Sequence, residues 1–342
     1  MKKHLLPQGK KLYKANMHTH TTLSDGRMTP EEIKAAYKEQ GYSIVAYTDH
    51  EVIVLQNHLR DEEFLPITSF EIVTNQLMAE NAVPNSNRTY HLNLYSFDPE
   101  NTVSSAFWER KIWKRIEHIK EYVSDEMRAH QTDRTYSVAC MNEIIAKARE
   151  EGFLVSYNHP VWSLQNYSDY AGLRGLWGVE IHNTGCVLAG LPDTPQPWED
   201  ILRQGERVYP LATDDTHAPK DCFGGWLMVS ADQLEYKDVM QALENGDFYA
   251  STGPEIHEIS IENGVLHVAC SEAVSVAFTT ERRDSKQVTT KDTPITEADF
   301  DLTGYLEKTG NGTAISPPYV RVTVTDACGK HAWSRAYFLD EL

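Results

Sequence analysis

Seven short apolar runs, separated by helix-type stretches, constrain this chain more than any other feature. They are Ala15–His20, Ser43–His50, Phe64–Ile72, Tyr90–Phe97, Phe153–His159, Gly178–Asn183 and Val208–Thr213. Ser43-Ile44-Val45-Ala46-Tyr47 is continuous rather than alternating, as in parallel strands buried on both faces. Between the runs, Thr29-Pro30-Glu31-Glu32 is a capping box with proline at the first helical position, and Gly41 closes that helix. Residues 103–130 and 137–151 read as two more helices, the second stopped by Gly152. Pro197–Arg203 and Tyr236–Glu244 read as later ones, ahead of Gly205 and Gly246. Strand alternating with helix predicts an α/β fold. Seven repeats predict a TIM-like β/α barrel rather than an open sheet.

Most of these runs carry a histidine or carboxylate at or near the carboxyl end. His18-Thr19-His20 places two imidazoles on one face of a strand, and Ser24-Asp25-Gly26 follows as a loop. Thr48-Asp49-His50, Glu71, Asn158-His159-Pro160 and Asp214-Asp215-Thr216-His217 end later runs, and His91 lies within one. In a parallel barrel the carboxyl ends share one mouth, where the loops build the active site. His18, His20, Asp25, His50, Glu71, His91, His159, Asp215 and His217 then meet there. The competing reading, nine unrelated structural residues, leaves polar groups at buried strand ends without partners, which is costly.

After Gly253-Pro254 the texture changes. Residues 255–342 are rich in β-branched side chains, with Asn263-Gly264 and Cys328-Gly329 as turns and no helix-length periodic run. They predict a small all-β sandwich of immunoglobulin-like size behind a first unit of residues 1–254. The junction is too short for a flexible linker, so the two units are expected to touch through aromatic residues such as Phe248, Tyr249, Tyr319 and Tyr337. Packing is the favoured role of the β unit, with carbohydrate binding and oligomerisation left open.

The balance of 32 basic against 50 acidic residues gives a net charge of −18, against a nucleic-acid scaffold binder or an anionic-membrane partner. No apolar run approaches a membrane span or a signal peptide. Five cysteines without a CxxC pair read as reduced thiols, hence a cytoplasmic protein. Oligomeric state is not legible.

The motifs also resemble a known family. His18-Thr19-His20 with Ser24-Asp25-Gly26, Thr29-Pro30-Glu31-Glu32 and Thr48-Asp49-His50 is similar to the amino-terminal signature of the PHP (polymerase and histidinol phosphatase) metallohydrolases. Glu71, His91, His159 and Asp215-Thr216-His217 follow in the order of that family's later motifs, over residues 14–250. Residues 221–254 resemble a branch that ends in a small β unit. The resemblance implies a distorted seven-stranded barrel, two or three divalent metals, and in many members hydrolysis of phosphoesters. It assigns His18, His20 and Asp215 to one metal, with Glu71 bridging to a second completed by His91 and His159. Asp25, His50 and His217 would hold a third; some members have histidine where Asp25 stands. Glu180 and Asn183 match a Glu…Asn pattern of the family and would orient ligands.

Six imidazoles and three carboxylates suit zinc, manganese or iron(II) alike. Glu71, Asp215 and His217 are then the catalytic residues, around a water whose pKa the metals lower. No GxSxG motif and no P-loop is present. A phosphorylated small molecule is the first substrate expectation. A non-phosphate ester, carbamate or amide is the second, and a non-catalytic metal-binding protein the third. Arg27 is the candidate clamp for a substrate anion, ahead of Arg88 and Lys220, though a plain exposed arginine is the commoner case for such a residue. Asp49 and Asp214, next to ligands, are either ligand-orienting or structural. His182 is out of phase for a ligand. The Trp108–Trp113 pair reads as core packing, in an insertion from which a cap could arise. Loops 73–89 and 161–175 are where substrate contacts would lie.

Overall fold

The computed structural model describes residues 2–78, 82–192, 194–310 and 316–342. Part of loop 73–89, residues 79–81, lies outside them. The strands, in chain order, are β1 (Lys3–His4), β2 (Lys11–Asn16), β3 (Tyr42–Tyr47), β4 (Leu65–Asn75), β5 (Thr89–Ser96), β6 (Phe153–Tyr157), β7 (Gly178–Asn183), β8 (Tyr209–Thr213), β9 (Trp226–Ala231), β10 (Phe248–Ser251), β11 (Ile256–Glu262), β12 (Val265–Ala273), β13 (Ser275–Thr280), β14 (Lys286–Thr289), β15 (Ile295–Asp301), β16 (Tyr319–Thr325), β17 (His331–Ser334) and β18 (Tyr337–Phe338). The helices are α1 (Pro30–Glu39), α2 (Asp125–Ala129), α3 (Val138–Glu150), α4 (Tyr167–Tyr170), α5 (Thr184–Leu188), α6 (Gln196–Arg203), α7 (Tyr236–Asn245) and α8 (Thr303–Gly310).

The fold is mixed α/β, with one large sheet and a second sheet of four strands. Strands β2 to β8, one for each apolar run, are neighbours in chain order within the large sheet. The expected closed barrel is not formed as a continuous ladder. Strand β9 pairs antiparallel with β2 and takes the edge that β8 would need. What links the two ends is an isolated parallel bridge between Thr19 and Thr216, with His20 N–H donating to Thr216 O at 2.9 Å.

Nor is the β2–β8 stretch all parallel, as the sequence pattern predicts. Strand β5 runs antiparallel to β4 and to β6, with Val73 opposite His91 and Leu92 opposite Tyr157. This reversal puts the amino end of β5 on the rim where its neighbours' carboxyl ends lie, so His91 still arrives beside Glu71. Glu71 itself sits within β4, which continues to Asn75.

Helix α1 starts as read: Thr29 Oγ1 accepts from Glu32 N–H, and Glu32 returns to Thr29 N–H. The stretch 103–130, read as one helix, is instead broken. It holds short 3-10 turns at Glu109–Lys111 and Lys114–Tyr122, then α2. Trp108, Trp113 and Val123 adopt extended backbone there, which interrupts the helical periodicity.

Past Pro254 the second sheet, ordered β1-β11-β12-β15, packs against the β13–β16–β17 end of the large sheet. Ile259, Val268, Phe278 and Val322 share that core. Asn263 and Gly264 both take positive φ, as a tight hairpin requires. Helix α8 departs from the helix-free expectation. The large sheet runs on through β9, β10 and β17, with Ala250 opposite Leu227 on one side and Trp333 on the other. Among the described residues no helix is long and apolar enough to cross a membrane.

Candidate metal centre

The nine side chains meet at one rim. Strand β2 ends at Asn16, and the bridge at Thr19 keeps the next residues extended, so His18 and His20 point the same way. Their Nε2 atoms are 3.1 Å apart. Three groups of ligand-type atoms form, each within 4.8 Å: His18, His20 and Asp215; His18, Glu71 and His159; His20, Asp25, His50 and His217. The resemblance puts His18, His20 and Asp215 together, as found, and Asp25, His50 and His217 together, to which the structure adds His20. It puts His91 with Glu71 and His159. His91 Nδ1 lies 3.0 Å from Glu71 Oε1, and His159 Nε2 lies 3.5 Å from the same oxygen.

Glu71 is central. Its Oε1 faces His18, His91 and His159, and its Oε2 faces His20 and His50 at 3.5 and 3.1 Å. Burial favours the neutral carboxyl here, but the surrounding imidazoles outweigh it and hold Glu71 and Asp215 well below the usual carboxylate range. Burial and the neighbouring His20 push His50 down to about 3. At His217 burial acts in the same direction, but Asp215 and Asp25 prevail and raise it to about 9.

The buried groups around the nine fix their orientation. His18 Nδ1 donates to Glu180 Oε1 at 2.7 Å, which leaves Nε2 for the centre. Glu180 Oε2 accepts from His159 N–H and from Asn183 Nδ2, both at 3.0 Å, and Asn183 Nδ2 also reaches Asp215 Oδ2 at 3.2 Å. Asp49 and Asp214 prove to be loop anchors. Asp49 accepts from Thr21 N–H, Thr21 Oγ1 and Ser24 Oγ, shaping the turn that carries Asp25. Asp214 accepts three successive amides, Phe223 to Gly225, and the hydroxyls of Tyr37 and Thr184. A Cβ on Gly26 would lie 2.3 Å from His20 O, so the Asp25 turn closes only with glycine.

The donor set fits divalent cations. His20 Nδ1, Asp25 Oδ1, His50 Nδ1 and Asp215 Oδ1 are buried and have no hydrogen-bond partner among the described residues, although all face this centre. An orphan of this kind costs about 1–3 kcal/mol, a cost that a bound cation removes. The mixture of imidazole and carboxylate suits Zn²⁺, Mn²⁺ or Fe²⁺.

A cavity of about 830 Å³ opens over the centre. Trp113, Arg115, Trp162, Leu191 and Lys220 line it with Asn75. Sequence reasoning missed most of these. Trp113, read as core, is 37% exposed, with its ring edge-to-face on His50 at 4.9 Å between centroids. Trp162 meets His91 and His159 in the same way. Asn158 Nδ2 donates to Glu71 Oε1 at 2.9 Å. The available signal was position: these residues sit in irregular polar and aromatic stretches next to or between ligands. Arg27 is exposed and is not among the residues lining the cavity; its N–H donates to His217 O. Arg88 pairs with Asp169 instead. His182 lies outside the centre and contacts Thr184 Oγ1.

No protein-family model matches the sequence, and no curated protein does. Among solved structures, a two-domain protein of Bacteroides vulgatus containing a predicted PHP-like metal-dependent phosphoesterase is 15% identical, with 98% of each chain covered and a TM-score of 0.46. A candidate metal-dependent phosphoesterase of Bifidobacterium adolescentis is 16% identical over 69% of this chain and 96% of its own, with a TM-score of 0.37. An amidohydrolase of Chromobacterium violaceum, with sulfate bound and no metal, is 14% identical over 60% and 88%, with a TM-score of 0.36.

Proposed function

We propose that the chain is a metal-dependent hydrolase of small phosphoesters. Its centre holds two or three divalent ions on His18, His20, Asp25, His50, Glu71, His91, His159, Asp215 and His217, with Glu71, Asp215 and His217 touching the reacting atoms. The observation that carries this is the convergence of buried, partly orphaned nitrogen and oxygen donors on the floor of a cavity of small-molecule size. Bound there, divalent cations supply Lewis-acid polarisation of the ester and lower the pKa of the attacking water.

The chain's own groups do the rest. Glu180 fixes the tautomer of His18 and the backbone of His159, and Asn183 steadies Asp215. Trp113 and Trp162 screen the ligand imidazoles from solvent on two sides. Arg115 on the cavity wall favours an anionic ester over a neutral one, whereas Lys220 is paired with Asp221 of the same wall. Charge arithmetic ties the substrate to the metal count: three divalent ions on three carboxylates leave 6 − 3 = +3, which a phosphate group offsets, while two leave 4 − 3 = +1, better matched to a neutral ester. In the same reading, β2–β8 is a distorted barrel closed by the Thr19–Thr216 bridge, and residues 255–342, with β1 added to their four-stranded sheet, are a second β unit joined to the first through the large sheet.

The test is turnover of a panel of phosphomonoesters, phosphodiesters, carboxyl esters and carbamates, before and after chelation. Phosphoester turnover that chelation abolishes and Mn²⁺ or Zn²⁺ restores is expected. Full activity in excess chelator, or turnover of the non-phosphate esters alone, contradicts the proposal.

A further inference from the structure

Glu51 follows His50 and is out of reach of the centre, yet its environment is unusual. Its side chain and that of Arg134 are both 0% exposed and form a close ion pair. A buried pair costs desolvation on both sides and is often no more stable than an apolar replacement, so its value lies in fixing geometry. Glu51 also holds φ at +68°, a left-handed conformation that is strained for a non-glycine residue. Such a conformation persists only where its surroundings impose it.

Those surroundings run straight to the ligands. Glu51 N–H donates to Glu71 O at 2.7 Å, and Glu51 Oε1 accepts from Val73 N–H at 3.0 Å. Glu71 N–H donates to Asp49 O at 3.2 Å. Residues 49–51 are thus laced to 71–73, with His50 set against Glu71. Arg134 reaches in from the long connection between β5 and α3. The same connection sends Arg115 Nη2 to Asp25 O at 2.9 Å and lays Trp113 on His50. Ser104 Oγ accepts from Ile53 N–H at 2.8 Å. These contacts fall on His50, on the residues just after it, and on Asp25. His50 and Asp25 belong to one ligand group, that of His20, Asp25, His50 and His217.

We infer that Arg134 is a positioning residue: through its pair with Glu51 the β5–α3 connection sets His50, and with Arg115 it sets the affinity of the His20–Asp25–His50–His217 group for its cation. The inference rests on the reading of the site as a metal centre. Arg134 Nε and Nη1 have no partner among the described residues, so the Glu51 contact is the one that holds this guanidinium in place.

The test counts bound Mn²⁺ and titrates its affinity in the full chain, for the natural protein, Arg134→Met, Arg134→Lys and Glu51→Gln, with circular dichroism as the check of folding. Arg134→Met is expected to lose one equivalent, or to bind its weakest ion at least ~10-fold less tightly, while the other equivalents stay. Arg134→Lys should recover part of the loss. Glu51→Gln, which keeps an acceptor for Val73 N–H, carries the same expectation and decides the matter if Arg134→Met does not fold. Natural-protein binding that is unchanged in the folded variants overturns this inference alone. Absence of Mn²⁺ binding in the natural protein overturns the metal centre and the inference with it.

Discussion

His18 commits one imidazole nitrogen to Glu180 and keeps the other for the centre. That division of labour is what makes a histidine a ligand of fixed aim. Glu180→Gln keeps the shape but can present its amide to Nδ1 and so lose the tautomer. Metal affinity is expected to fall by roughly 10–100-fold, read by titration of the folded variant. His159 and Asp215 carry a related cost, since both sit at positive φ, at 29° and 53°. Two strained residues among nine place the strain where the side chains have work to do. A different kind of residue contributes to the acid dependence of stability. Burial, then the nearby Lys330, holds His182 down to about 4 from the ordinary 6.5. The folded protein therefore binds fewer protons than the unfolded chain between those values, and stability falls as pH drops through that window. His182→Gln should flatten that part of the pH–stability curve; an identical curve would contradict the assignment.

At the scale of elements, the sequence shows which stretches are strands but not their direction. Tyr90–Phe97 has the same apolar texture as the parallel runs, because burial on both faces sets composition and chain direction does not. Direction was decided by the register of β5 on β4, Val73 opposite His91, which is a long-range fact. The site was legible all the same, because a reversed strand carrying its histidine at the amino end delivers it to the same rim. The capping box of α1 was legible from local chemistry alone. The 103–130 stretch was not: its apolar residues Ile112, Ile116, Ile119 and Val123 have helix-like spacing but pack over Val52 and Phe107 in broken turns. With the helix misread, Trp113, Arg115 and Arg134 could not be placed. Of the cations named from sequence, Arg27, Arg88 and Lys220, Lys220 lines the cavity, and Arg115, ninety residues away from Asp25, joins it without a sequence signal.

Across the whole molecule, the large sheet and ion pairs such as Glu199–Arg321 and Arg207–Asp340 tie the two ends of the chain together. Strand β10 is paired on one side by β9 and on the other by β17. Glu199 of α6, buried, accepts from Tyr319 Oη–H at 2.7 Å and pairs with Arg321 of β16. Removing residues 256–342 opens an edge of the large sheet and takes two partners from Glu199, leaving it Arg203. A chain of residues 1–255 is therefore expected to aggregate or melt well below full length, though every proposed metal ligand is present. A soluble monomer of unchanged melting temperature would show that the β unit contributes nothing to the first. The central claim, that nine side chains from across residues 18–217 form one polynuclear centre, is tested most directly by anomalous diffraction from crystals of the full chain grown with Mn²⁺. Two or three anomalous peaks are expected, roughly 3.5–4 Å apart and within bonding distance of Glu71, His18 and Asp215. No peak among these residues, with the metal bound elsewhere or not at all, would contradict it.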